Sequence, residues 1–190
     1  MMKLVFVMIF SMLNLTALTQ GNSVFLTETG KIDFVSEAPL EIIRAGSESL
    51  KGAIDISKQT FVFVLVNQTF KGFNSPLQQE HFHENYLETN KFPKTTFTGK
   101  IIEPLIWVSG TKQQVRAKGV LDLHGEKKER IITATIIYAE NSLDIEAVFS
   151  IPLEDHQIRI PKVVSKKIAT EIKVTVKANL QPNTNQSVGQ

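Results

Sequence analysis

The sequence predicts an all-β fold, either a single antiparallel β-sandwich or a closed barrel, with one short helix. Polar and apolar residues alternate with a period of two from residue 23 onward, which is typical of half-buried antiparallel strands. Turn-forming residues recur at short intervals over the same range, as they do in sandwiches and barrels of many short strands. The composition does not change between residues 22 and 182, so we expect this range to form one domain.

The composition of the 190-residue chain excludes several classes of function. Its formal net charge is +2, which is too small for the concentrated basic face of a nucleic-acid-binding protein. It contains no cysteine, so disulfides, thiolate metal sites and cysteine nucleophiles are excluded. The hydrophobic fraction of 42% is ordinary for a globular protein. Composition therefore predicts a globular domain and leaves its function open.

Residues 1–21 are predicted to be a secretory signal peptide. Lys3 precedes about 15 mostly apolar residues, and small or polar residues follow. A transmembrane helix would need about 20 apolar residues, and Asn14 interrupts this run. We therefore expect an exported protein, either periplasmic or secreted, in which the polar residues 183–190 form a disordered tail.

Two stretches are apolar on both faces of the predicted strand. In residues 60–66, Phe61, Phe63 and Leu65 alternate with three valines, and residues 131–138 are similar. We expect such a strand to face the core on one side and a covering element on the other.

Residues 76–88 are predicted to form the one short helix. They contain no β-branched residue, Ser75 or Asn74 can cap the N-terminus, and Pro76 suits the first turn. Apolar residues recur at roughly helical spacing, namely Leu77, Phe82, Tyr86 and Leu87. This helix is the one covering element visible in the sequence, and we expect it to end before Pro93.

Four stretches in the second half alternate clearly and are predicted to be strands: 118–125, 144–151, 157–161 and 172–178. These strands are short and rich in charged residues, and their aromatic residues form no paired girdles. Both features favour a water-soluble barrel over one in an outer membrane. Glycines between the strands are interpreted as turns, including Gly30, Gly46, Gly52, Gly99, Gly119 and Gly125.

Three segments resemble, in the same order, the signature regions of the YceI-like family. The first is FNSPLQQEHFHENYLETNKFPKTTFTGKI, the second VRAKGVLDLHGEKKERIITATI, and the third FSIPLEDHQIRIPKVVSKKIATEIKVTVKANL. The likeness extends over roughly residues 30–180, whereas residues 36–56 are more polar than the commoner opening of the family. It implies a lipocalin-like antiparallel β-barrel of about eight strands with an elongated apolar lumen. It also implies a small amphiphilic lipid as ligand, such as a polyisoprenoid or a fatty-acid derivative, with no other cofactor.

Aromatic residues are concentrated between positions 61 and 97, where eight of the fifteen in the chain occur. They either fill the barrel or line a channel for an acyl or prenyl chain, because an eight-stranded barrel has room for one or the other. The residues that we expect to line the lumen are Phe61, Phe63, Leu65, Phe73, Phe82, Tyr86, Phe97, Leu121, Leu123 and Phe149.

Histidines are the other candidate site residues. His124 lies before a basic turn, and we interpret it either as a turn residue or as a contact for the ligand head group. His81 and His83 are two positions apart, so on a helix they point to different faces and cannot share a metal ion. We therefore expect surface or helix-end histidines and no metal site.

The leading hypothesis is an exported carrier or scavenger of an amphiphilic lipid. The alternative is a non-catalytic interaction or stress-response domain whose barrel is filled by side chains. A hydrolase that uses one of the histidines is disfavoured, since no nucleophile, base and orienting group can be assembled. Transient contact with a membrane surface and a homodimer are left open, and no nucleic-acid partner is expected.

Overall fold

The computed structural model describes residues 23–139 and 141–183, which form a closed barrel of eight antiparallel strands. Each strand pairs with the next along the chain, and β1 pairs with β8 to close the ring. The all-β barrel prediction is therefore confirmed. The predicted signal peptide at 1–21 and residues 184–190 of the predicted tail lie outside the described residues. The strands are β1 (Val24–Glu37), β2 (Ile42–Asp55), β3 (Thr60–Val66), β4 (Lys94–Ile101), β5 (Lys112–Leu123), β6 (Glu126–Ala139), β7 (Ser142–Pro152) and β8 (Glu171–Pro182).

Strand alternation sends one face of each strand into the barrel. In β8, Val174 and Ala178 are buried while Lys173 and Lys177 are exposed, as the pattern predicts. Full closure leaves no free sheet edge. The cysteine-free chain therefore needs no disulfide bond to hold an edge strand in place.

The outer faces of the doubly apolar strands are open to solvent, so the expectation of a covering element is wrong. Val62 and Val66 of β3 are 38% and 41% exposed, and Ile131 of β6 is 58% exposed. β-Branched residues favour the extended backbone of a strand. This preference explains their presence on a solvent-exposed face.

Several glycines that the sequence analysis interprets as turns lie inside strands instead. Gly30, Gly46, Gly52, Gly99 and Gly119 all fall within β1, β2, β4 or β5. Gly52 pairs with Phe63 across β2 and β3, and a side chain at Gly52 would collide with that ring. These glycines mark close approaches of rings or neighbouring backbone, a recurring use of glycine within strands.

The helix is shorter than predicted. An α-helix, α1 (Pro76–His81), continues directly into a single wide turn at Phe82–Tyr86. Ser75 caps it, because its Oγ accepts a hydrogen bond from the backbone N–H of Gln78 at 3.2 Å.

The strand predicted at 157–161 does not form. These residues lie in the connection between β7 and β8, flanked by short 3-10 turns at Leu153–His156 and Lys162–Val164. Gln157 has a φ of 55°, and Pro161 has no N–H to donate to a ladder. Ile158 is nevertheless buried, so the alternating pattern reports burial correctly and secondary structure incorrectly.

The up-and-down order divides the connections between two ends of the barrel. The helix end carries the connections 38–41, 67–93, 124–125 and 153–170, and α1 lies in the second of them. The loop end carries 56–59, 102–111 and the turn between Ala139 and Ser142. In the described part of the chain, no helix combines the length and hydropathy needed to cross a bilayer.

Candidate functional site

The barrel encloses a cavity of about 500 Å³ to which all eight strands contribute side chains. Pockets that bind small molecules commonly measure about 300–1,000 Å³ and are lined mainly by apolar and aromatic residues. This cavity has such a lining. The alternative of an interaction domain requires a barrel filled by side chains. The cavity shows that the lumen is not filled in this way.

The structure brings together all ten residues that we expect to line the lumen. They come from β3, β4, β5, β7 and the α1 region, and each of them borders the cavity: Phe61, Phe63, Leu65, Phe73, Phe82, Tyr86, Phe97, Leu121, Leu123 and Phe149. Contact of these residues with a ligand stays a prediction.

Four phenylalanines form a ring cluster inside the helix end. Phe82 stacks on Phe34 with ring centroids 5.4 Å apart, and it meets Phe73 at 4.9 Å and Phe70 edge-on at 5.4 Å. Such pairs contribute about 0.5–1.5 kcal/mol each beyond burial, so the cluster fixes the wide turn after α1 against β1. Phe34 is not among the residues expected to line the lumen, although its alternation with Ile32 and Ser36 indicates an inward position.

Small residues create the free space on the opposite wall. Ala134 of β6 pairs with Ala147 of β7, and both border the cavity, as does Ala117 of β5. In a ring of eight strands β7 lies across from β3, which carries Phe61 and Phe63. Because the alanine side chains are small, the cavity extends from the phenylalanines of β3 to the opposite wall.

The cavity is closed at the loop end. Leu143 of β7 pairs with Leu180 of β8, and both side chains are completely buried. Phe25 packs in the same cluster, with Leu105 and Tyr138 against it. None of these five borders the cavity, so they form a solid floor beneath it.

Polar side chains border the cavity at the helix end, where three segments surround its opening. We call this opening the mouth; it is bordered by the turn 38–41, by α1 and by residues 161–168. The Gln78 amide donates to a Glu41 carboxylate oxygen at 2.9 Å, and the Leu40 N–H donates to the Lys166 carbonyl at 2.9 Å. The polar residues that border the cavity here are Ser36, Glu41, Ser75, Gln78, His81 and Lys167.

His124 is not brought to the cavity. With Gly125 it forms the two-residue β5–β6 hairpin turn, where both have positive φ, 54° and 77°, as a type I′ turn requires. Its Nε2 lies 2.7 Å from Glu88 Oε2, its Nδ1 lies 3.0 Å from the His156 carbonyl, and its ring packs on Phe92. Both ring nitrogens are thus occupied in joining the turn to neighbouring connections.

His81 and His83 point in different directions, as helical spacing predicts. We expect both at the surface or at a helix end, but His83 is buried. His81 is exposed and borders the mouth. His83 is buried beside Phe82 and Phe73, and among the described residues neither of its ring nitrogens has a hydrogen-bond partner. Burial lowers the pKa of His83.

His156 is a second buried histidine at the helix end. Its side chain is completely buried, and its Nδ1 lies 3.2 Å from the Leu123 carbonyl and 3.3 Å from that of Glu126. Burial lowers the pKa of His156, although these backbone contacts oppose the shift. Within residues 23–139 and 141–183, no three His, Cys, Asp or Glu side chains converge as metal ligands would.

Comparisons with known proteins agree with this architecture. A family model described as the YceI-like domain matches residues 20–180. No curated protein matches the sequence. A polyisoprenoid-binding domain from Saccharophagus degradans implicated in plant cell wall breakdown is similar in structure, with a TM-score of 0.71 and 15% identity over 85% of this chain and 99% of that one. BcnA from Burkholderia cenocepacia gives a TM-score of 0.65 at 12% identity, covering 80% of this chain and 95% of that one. At these identities the structural likeness shows the fold alone.

Proposed function

The chain belongs to the YceI-like domain family, and from this premise we propose that it binds one small amphiphilic lipid in its barrel lumen. The observation that carries the proposal is the cavity of about 500 Å³, apolar within, closed at the loop end and polar at the mouth. This order of surfaces matches a molecule with an apolar tail and a polar head.

Burial of the tail supplies the main driving force. Each methylene removed from water contributes about 0.8 kcal/mol, so about ten of them contribute roughly 8 kcal/mol. That offsets most or all of the cost of association, roughly 4–15 kcal/mol, so contacts with the head group must add affinity as well as orient it. We assign these contacts to Gln78, His81 and Lys167 at the mouth in place of His124.

The preferred ligand class is a polyisoprenoid, with fatty-acid derivatives second. The similar domain from Saccharophagus degradans is described as polyisoprenoid-binding, which supports a prenyl tail here. Aromatic walls such as Phe61 and Phe97, whose centroids are 4.9 Å apart, offer flat surfaces to the methyl branches and double bonds of such a tail.

We propose a carrier or scavenger role outside the cytoplasm and no catalysis. Export follows from the predicted signal peptide at 1–21. The titratable groups among the described residues that border the cavity are Glu41, His81, Tyr86 and Lys167. Glu41 is engaged by Gln78, and the four groups include no assembled nucleophile and base.

Native mass spectrometry of the purified protein tests the proposal. We expect a one-to-one complex with a co-purifying lipid, and solvent extraction should remove the added mass. The extracted protein should then take up a prenyl alcohol and a fatty acid from detergent, with the prenyl alcohol preferred. A protein that stays empty after exposure to both lipids would overturn the proposal.

A further inference from the structure

The mouth is surrounded by exposed apolar side chains. Leu40 is 68% exposed, Ile42 47%, Leu77 59% and Val163 89%. The segments that carry them are joined by hydrogen bonds, from Leu40 N–H to the Lys166 carbonyl and from the Asn74 amide to the Ile42 carbonyl at 3.0 Å. These residues therefore form a fixed apolar rim around the opening.

The same rim carries positive charge on one side. Residues 157–170 contain Arg159, Lys162, Lys166 and Lys167, all exposed, and no acidic residue. None of the four forms an ion pair within the part of the chain that the structure describes. The Glu41 carboxylate, which borders the mouth, is hydrogen-bonded to Gln78. We call residues 157–170 the basic segment.

We propose that the apolar rim and the basic segment dock the mouth onto an anionic lipid bilayer. Exposed apolar side chains beside lysines are the combination that holds proteins at the boundary between head groups and acyl chains. Docking in this orientation places the mouth against the acyl layer, so a lipid tail enters the lumen without crossing water. The use of docking for lipid entry rests on the proposed function. The docking surface itself is argued only from exposed apolar and basic side chains.

The loop end offers a weaker alternative surface. Ile106, Trp107 and Val108 are also exposed there. The connection 102–111 itself contains Glu103 and no Lys or Arg, although the exposed Lys100 and Lys112 flank it on β4 and β5. What sets this end apart from the mouth is the floor, which closes the cavity behind it. Binding through this end would hold the mouth roughly 30 Å from the bilayer, the span of a tilted 12-residue strand.

Vesicle co-sedimentation of the purified chain tests the proposal. We expect binding to vesicles of phosphatidylcholine mixed with phosphatidylglycerol, little binding to phosphatidylcholine alone, and weakening by added salt. Replacing Arg159, Lys162 and Lys166 with glutamine should reduce the affinity at least tenfold. The matched control replaces Lys100, Lys112 and Lys118, which are exposed, without ion pairs among the described residues and remote from the mouth. A control variant weakened as much as the rim variant would overturn the proposal.

Tryptophan fluorescence reports which end is bound. Trp107 is the one tryptophan in the chain and lies at the loop end, so its emission should not change when vesicles bind. A blue shift of Trp107 on binding would contradict docking through the mouth. Substituting Val163→Asp, at an 89% exposed position, should weaken binding with no loss of folding.

Lipid occupancy separates this proposal from the proposed function. The rim variant, in which the cavity-lining Lys167 is unchanged, should still take up prenyl alcohol from detergent when measured by native mass spectrometry. Vesicle binding by a protein that never holds a lipid would refute the proposed function and leave docking intact. Lipid uptake by a protein that ignores anionic vesicles would refute docking alone.

Discussion

The two ends of the barrel are made from the same eight strands and differ in almost every physical respect. At the loop end, Leu143 and Leu180 are completely buried and form a solid floor. At the helix end, polar and half-buried aromatic side chains surround an opening. Strand alternation therefore builds the lumen, whereas the connections determine which end of it is open.

The connections explain the difference directly. The two longest, 67–93 and 153–170, are both at the helix end. Being long and irregular, they can lie around the barrel opening without filling it, and they supply Gln78 and Lys167 to the mouth. At the loop end, Leu105 of the connection 102–111 instead packs against the buried cluster.

The largest expected effect comes from damage to the floor. Leu180→Ala should lower the free energy of unfolding by about 2–5 kcal/mol, because it removes a completely buried side chain and leaves a cavity. Leu77→Ala at the rim, where the side chain is 59% exposed, should change it by less than about 0.5 kcal/mol. Urea denaturation of both variants checks the contrast. Equal losses of unfolding free energy would mean that the loop end is no more tightly packed than the rim.

Filling the lumen should come next in size. Ala147→Phe places a ring in the free space of the β7 wall and should weaken lipid binding about a hundredfold, equivalent to roughly 2.7 kcal/mol. Val148→Phe is the matched control, since residue 148 is on the outer face and 51% exposed. Lipid titration followed by native mass spectrometry measures both variants. Undiminished binding by Ala147→Phe would show that the ligand does not lie in the lumen.

Titratable groups at the two ends should affect stability in different pH ranges. His83 and His156, both at the helix end, have pKa values lowered by burial. The unfolded chain therefore takes up more protons below about pH 6.5, and stability should fall as the pH drops from there. At the loop end, hydrogen bonds from the side chains of Ser57 and Lys58 lower the pKa of Asp55 to about 2. Its contribution should be lost only as the pH falls from 3.8 toward 2.

Denaturation at a series of pH values checks these windows. His83→Leu should flatten the fall in stability just below pH 6.5, and Asp55→Asn should leave that region unchanged and flatten the acid limb. A pH profile that responds to Asp55→Asn near pH 6 would contradict the assignment.

The smallest expected effect on binding is that of His124. His124→Asn should leave lipid affinity within about twofold, because the ring is outside the cavity and asparagine tolerates the left-handed backbone of the turn. His81→Asn at the mouth is the comparison and should weaken binding measurably more. If His124→Asn proves the more damaging of the two, the head group lies at the hairpin after all.

The all-β class and the inward-facing residues can be predicted from alternation, which reports burial residue by residue, whereas the choice of a barrel over a sandwich depends on the family resemblance. Alternation selects Leu121, Leu123 and Phe149, and all of them border the cavity. Alternation fails where burial and secondary structure separate: Ile158 is buried in an irregular connection, and Val62 sits on an exposed strand face.

The mouth could not be predicted from sequence. Its geometry depends on contacts between distant segments, such as Gln78 with Glu41 and Leu40 with Lys166, and no local pattern encodes them. Ala134 and Ala147 belong to different strands, and only the closed ring of strands sets this small wall across from Phe61 and Phe63.

A crystal structure of the protein saturated with a prenyl alcohol would locate the bound lipid directly. We predict continuous elongated density that begins between Gln78 and Lys167, passes Phe63 and Ala147, and ends above the floor at Leu143 and Leu180. An empty lumen in such crystals, or lipid bound on the outer face at Val62 and Val66, would contradict this prediction.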